Sequence, residues 1–195
     1  MILEKRTTND GTYLRKRFAY DHFKEKTQSI GNIIAFRSQV HIDVENIVDK
    51  DKIINDEPIR SCDAVNFYME IPGRSLFSGI CYHRLFNSCI ATILASEFLK
   101  CDIEVDGADI IMHKEVESEG IIRKYGNISI NDANEVDGAV LLFTGIHINA
   151  GQNAPITASS THLTDDQATI LMRKGIELFY SSMQEIFVET TKKAS

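Results

Sequence analysis

The hydrophobic period of the chain changes once, near residue 100, and that change restricts the fold more than any other feature of the sequence. Before it, Phe77, Ile80, Cys81, Phe86, Ile90, Ile93, Leu94 and Phe98 recur at three- and four-residue steps, the spacing of one helix face. Ser75 stands where an N-cap belongs, and the stripe is expected to face a core. After it, segments 102–106, 108–113, 121–131 and 138–149 read as strands of period two. Asp106–Gly107, Glu119–Gly120 and Asp137–Gly138 supply the turns between them. Strands joined by such short turns are antiparallel, because parallel neighbours need a crossover of about a dozen residues.

Ahead of the helix, SIGNIIAFRSQVHI and AVNFYMEI read as strands, the second bounded by Asp63 and the Pro72–Gly73 turn signal. Between them DVENIVDKDKIINDEPI reads as a short helix or turn ended by Pro58. Towards the other end, Thr164 and Gln167 form a capping box, with Asp165 and Asp166 at the positive end of a helix expected to reach about Thr190. The fold class is therefore α+β: a mostly antiparallel mixed sheet with helices packed on one face. Residues 1–29 are charged and carry Tyr13, Phe18, Tyr20 and Phe23; they are expected to dock on a body formed by 30–195, all one domain.

Composition narrows the function classes. A net charge of −7 argues against a general nucleic-acid scaffold, which carries the opposite sign. No apolar run approaches the roughly 18 residues of a membrane span, and MILEKRTTNDG lacks a signal-peptide core, so a cytoplasmic location is expected. Cys62, Cys81, Cys89 and Cys101 include no CxxC pair, and they are expected to serve as small packing residues. The six histidines are scattered without metal spacing, so no metal site is expected.

No phosphate loop, GxGxxG, GxSxG or HExxH motif occurs. Two segments stand out instead. In RKYGNISI, Lys124 lies at a strand start beside Gly126, where a missing side chain lets a ligand or a backbone come close. In GAVLLFTGIHINAGQNAPIT, Gly145 and Gly151 suggest the same, and the strand period puts His147 and Asn149 on one face. Taken alone, Lys124 also reads as a solvated lysine and His147 as a hydrogen-bonded core histidine.

In order, VNFYMEIP, the long helix, VDGADII, RKYGNISI and LLFTGIHINA resemble the catalytic half of the biotin and lipoate protein ligases, relatives of the class II aminoacyl-tRNA synthetases. The blocks IGNIIAFRSQVHI, FYMEIPGRSLFSGICYHRLFNSCIATILASEFL, KYGNISI and LLFTGIHINAGQNAPITASSTHL resemble more closely the mainly archaeal family known as domain of unknown function 366. Together the two resemblances imply a biotin/lipoate ligase-like fold. The ligase resemblance places Lys124 on the lysine that contacts acyl carboxylate and adenylate phosphate, Asp109 on the aspartate of the third block, and Gly145 and Asn149 on the last motif. His147 stands where a glycine is usual. Arg37 falls in the region of the ligases' glycine-rich, arginine-containing loop, here without the glycine.

The resemblance implies three alternatives. The first is acyl transfer or acyl-adenylate chemistry on a small carboxylic acid, with Lys124 catalytic, Arg37 and Arg84 as anion clamps, and Asp109, Gly126, Gly145, His147 and Asn149 lining the ligand. ATP with magnesium, or an acyl-adenylate, would be the cofactor. The second is a non-catalytic module binding an acyl or nucleotide ligand. The third, weaker because of the negative charge, is an RNA-associated accessory using Lys5, Arg6, Arg15, Lys16 and Arg17. A homodimer is compatible with any of them.

Overall fold

The computed structural model describes residues 2–3, 8–15, 31–113, 116–118, 121–123 and 126–193. Its elements are β1 (Ile2–Leu3), β2 (Asn32–Ile42), α1 (Lys50–Ile54), β3 (Ile59–Pro72), α2 (Leu76–Ile93), β4 (Asp102–Asp106), β5 (Asp109–His113), β6 (Val116–Ser118), β7 (Ile121–Arg123), β8 (Gly126–Asn127), β9 (Ser129–Val136), β10 (Ala139–Asn149) and α3 (Asp165–Lys193). The main sheet has the order β1-β2-β3-β10-β9, antiparallel except for β1 beside β2. A second sheet, β4-β5-β8, stands next to it, and β6 pairs with β7.

Alternation along the central strands divides the core between the two faces of the sheet. Phe67, Met69, Leu142 and Ile146 point to one side, where Phe86 and Ile90 of α2 and Leu171 and Phe179 of α3 bury them. Ile34, Phe36, Tyr68, Leu141 and Phe143 point to the other, beneath Leu14. There the rings of Tyr68 and Phe143 stack with centroids 4.5 Å apart, and Tyr13 meets Tyr68 edge-on at 5.0 Å. Asn9, fully buried, receives the Tyr68 hydroxyl proton at 2.8 Å and donates to Asn66 at 3.0 Å. Asn9, Tyr13 and Leu14 therefore pack against this face of the sheet, while Phe18, Tyr20 and Phe23 lie outside the described residues.

Local signals are honoured where one element suffices to set them. Asp137 and Gly138 adopt φ of 52° and 75°, and Val136 pairs with Ala139. That is a two-residue turn with both central residues left-handed, whose twist matches the flanking strands. Ser75 accepts from the Ser78 N–H, and Glu135 of β9 takes the Leu76 N–H at 2.7 Å, so α2 begins pinned to the sheet. Thr164 and Gln167 exchange both bonds of the capping box, at 2.9 and 3.3 Å.

Four expectations are corrected. Phe77 is 80% exposed and Cys81 is exposed, because the stripe spread over α2 is wider than the face the sheet can cover. Cys62 is exposed too, and Cys89 and Cys101 are only half-buried, so packing is a partial role at most. The 44–58 segment forms one 3-10 turn and the five-residue α1, which stops at Ile54 before the left-handed Asp56 rather than at Pro58. The single strand expected at 121–131 is divided, since β8 pairs with β5 while β9 joins β10. Among the described residues no helix is long and apolar enough to cross a membrane.

Candidate functional site

Where the chain passes from β8 in the second sheet to β9 in the main sheet, a gap opens beside the carboxyl end of β10. It forms a cavity of about 200 Å³ closed by α1 and the start of β3 on one side and by residues 155–158 on the other. Asp109, Asn127, Ser129, Asn131 and His147 supply its polar wall, with Lys52 and Arg60 among its cations. Gly126 makes this geometry possible. A Cβ there would lie 2.5 Å from the Cβ of Ser159, so the glycine lets residues 157–159 run against β8, where Asn127 and Ala158 form a parallel bridge. The close approach expected at residue 126 is therefore made by the protein's own backbone.

The polar side chains of the wall hold one another. Asn131 donates to an oxygen of Asp109 at 3.1 Å and to the Ser129 hydroxyl at 2.9 Å. Ser129 in turn bonds Asn127 at 3.0 Å. Asn131 also accepts from Asn87 of α2 at 2.7 Å, which ties the wall to the helix.

His147 is 3% exposed, and its Nδ1 lies 2.8 Å from the Ser61 hydroxyl. The same hydroxyl also lies 3.1 and 3.2 Å from the carbonyl oxygens of Asp63 and Asn149, so the direction of its bond with the ring follows the tautomer of the imidazole. Burial lowers its pKa to about 4, and the ring is neutral at physiological pH. His83, beneath the sheet, is lowered to about 4 by the same cause.

Asp109 and His147 thus line one cavity, with Gly126 directly beside it. The other residues singled out from the sequence lie elsewhere. A bulge after His147 pairs it with Ala64 but pairs Asn149 with Asp63, so the two fall on opposite faces and Asn149 is exposed; their expected shared face is corrected. Gly145 faces Phe143 and Ile130, whose side-chain atoms would lie 3.1 and 3.3 Å from an added Cβ, so its lack of a side chain serves packing. Arg84 is exposed on α2. The Arg37 guanidinium is committed to carboxylates: Nε and Nη2 hold Asp63 at 2.9 and 2.5 Å, and Nη1 holds Asp165. Hydrogen bonding to Asp63 raises its pKa against the opposing effect of burial. Lys124 lies outside the described residues.

Asn127, Ser129 and Asn131 were not singled out, although NISIN carries a polar residue at every second position, the mark of a polar strand face. Lys52 makes no hydrogen bond or ion pair among the described residues, whereas Arg60 is held by Asp43 and two carbonyls. Among the described residues no cluster of His, Cys, Asp and Glu could hold a metal ion.

An antiparallel sheet with helices on one face is the fold this chain shares with solved biotin and lipoate ligases. The biotin protein ligase of Aquifex aeolicus, in complex with biotin and ATP, is similar over 94% of this chain and 72% of its own, at TM-score 0.58 and 8% identity. A bi-partite lipoate protein ligase from Thermoplasma acidophilum is similar over 92% and 84%, at 0.50 and 11%. A protein of unknown function from Pyrococcus horikoshi is similar over 100% and 97%, at 0.83 and 17%. The chain belongs to the family described as domain of unknown function (DUF366), whose model matches residues 1–194. None of the curated proteins compared with it matches the chain.

Proposed function

We propose that the cavity binds a small acyl or nucleotide ligand and that the protein transfers an acyl group from an already activated donor. The observation that carries this reading is the convergence of Asp109 and His147, 38 positions apart, on one polar cavity. Asp109 accepts a hydrogen bond from the ligand and the neutral imidazole of His147 lines the acyl side, while the Lys124 ammonium neutralises charge as the acyl oxygen becomes an oxyanion. The acceptor's nucleophile forms its bond to the acyl carbon, the activating group departs, and the nucleophile's proton leaves to solvent.

Activation by ATP with magnesium fits the described residues poorly. Arg37 and Arg60 are both paired to carboxylates, which leaves Lys52 as the uncommitted described cation of the wall. Three phosphates call for more donors than that. The commitment of Arg37 to Asp63 and Asp165 also favours a second reading, a binding module without turnover.

A thermal-shift panel of ATP with magnesium, biotin, lipoate, octanoate, amino acids and acyl-sulfamoyl adenosines tests the reading. Ligand at 100 times its Kd stabilises by about 2.7 kcal/mol, several degrees for a chain of this size. One acyl-adenylate analogue should raise Tm in the wild type and fail to do so in Lys124→Ala and Asp109→Ala. Product formed from a matching acyl donor then separates transfer from binding alone. Silence across the panel with folded protein ends the reading.

A further inference from the structure

Three asparagines between α2 and the cavity can each be placed only one way round. Asn87 turns Nδ2 to the carbonyl oxygen of Ala108 at 2.7 Å, and a carbonyl only accepts. Asn131 turns Nδ2 to a carboxylate oxygen of Asp109, with the same restriction. Asn127 turns Oδ1 to the main-chain N–H of Ser129 at 2.8 Å, which only donates.

Every other bond in the series follows. Thr144 gives its one hydroxyl proton to Asn87 Oδ1 at 2.7 Å, so it accepts from His83 Nε2 at 2.8 Å. The second Asn87 N–H goes to Asn131 Oδ1. The Ser129 hydroxyl accepts from the Ile110 N–H and from Asn131, both at 2.9 Å, and has its own proton left for Asn127 Oδ1. Hydrogen-bond direction is thus propagated from His83 in the core to Asn127 in the cavity wall. Two groups end the series with unused capacity: Asp109 Oδ2 as acceptor and Asn127 Nδ2 as donor, neither with another partner among the described residues.

We propose that Asp109 and Asn127 form an acceptor–donor pair that selects a ligand carrying a donor beside an acceptor on one flat edge. A primary carboxamide and the amino edge of adenine both have this chemistry. The proposal rests on the cavity being the ligand site and names what is recognised there. A free carboxylate is the wrong partner: one oxygen would meet Asn127 while the other faced the Asp109 anion. Asn127 is then the residue that sets specificity, and Asn87 and Asn131 are positioning residues.

The test is an NMR titration of the full chain with nicotinamide and adenosine, against nicotinate and purine riboside. The controls keep each ring but replace the amide by a carboxylate or remove the amino donor. At least one of the two probes should bind about tenfold or more tightly than its control. Asn127→Asp keeps the oxygen that Ser129 needs and exchanges the donor for an acceptor, so it should abolish that preference; Asn127→Ser serves if the first variant does not fold. Equal or tighter binding of both controls, a preference that survives in Asn127→Asp, or no binding by either probe overturns the proposal. Amide selectivity without acyl-adenylate binding ends the functional reading alone. Acyl-adenylate binding lost in Asp109→Ala, without amide selectivity, ends this one alone.

Discussion

Arg37 and Asp109 are both charged residues at sheet positions, and the sequence marks both for ligand binding, yet they stand in opposite situations. The donors of Arg37 are spent on Asp63 and Asp165, which lock β2, β3 and the start of α3 together. Asp109 has one oxygen held by Asn131 and the other uncommitted among the described residues, in the wall of a cavity. Charge therefore does not distinguish a candidate binding residue from a structural one here. What does is the hydrogen-bonding capacity left over once the fold has been satisfied.

The largest effect expected from this difference is on pH. His83 and His147 have pKa near 4 in the folded protein against an ordinary 6.5. The unfolded chain takes up a proton on each over that interval and the folded chain refuses it. Stability should therefore fall as pH drops from 6.5 towards 4 and lose no more from these groups below that, by on the order of 3 kcal/mol for each when complete. Urea unfolding at pH 7 and pH 4.5, with His147→Gln beside the wild type, reads it directly. A variant whose acid sensitivity matches the wild type removes His147 from the account.

Next comes the relay. Asn87→Leu takes a donor from the Ala108 carbonyl and from Asn131 Oδ1 and an acceptor from the Thr144 hydroxyl, three bonds under the sheet, at a cost of about 2–4 kcal/mol in the same assay. A loss within about 0.5 kcal/mol, the range of ordinary surface changes, would mean the relay is held by its other members.

The sharpest form of the comparison is a crossed pair. Arg37→Met should cost about 1–2 kcal/mol of stability, since it strands the partly buried Asp63, and leave ligand affinity unchanged. Asp109→Ala should lower ligand affinity about a hundredfold while changing stability little. Calorimetry on both variants checks this; an inverted result would make Arg37 the binding residue. The smallest effect belongs to Thr164→Ala, about 1 kcal/mol for the lost cap of α3, with binding untouched.

The features legible in the sequence are those a few neighbouring residues decide. Ser75, Thr164 with Gln167, and Asp137–Gly138 each act within four positions, and the structure uses all of them. Partners of Arg37 lie 26 and 128 positions away, so nothing local reveals that it is occupied. The bulge after His147 is equally silent, because one extra residue reverses the face of everything beyond it without altering the hydrophobic pattern. Of the site, Asp109 and His147 could be picked out through the ligase resemblance. Asn127 looked like an ordinary strand residue because its orientation is fixed by Ser129 and, through Asn131, by a helix 40 positions earlier.

The one-way order of the relay has a consequence for how the sequence can drift. Each member hands on a single polarity, so replacing Asn87 by an acceptor would set two lone pairs against each other at Asn131. The mismatch would then pass through Ser129 to Asn127. Positions 87, 131 and 129 are therefore free to change only in company, and a double-mutant cycle across any two of them should be strongly non-additive. Related chains that bind a different ligand edge would carry compensating exchanges at all three positions, with α2 and β9 altered together.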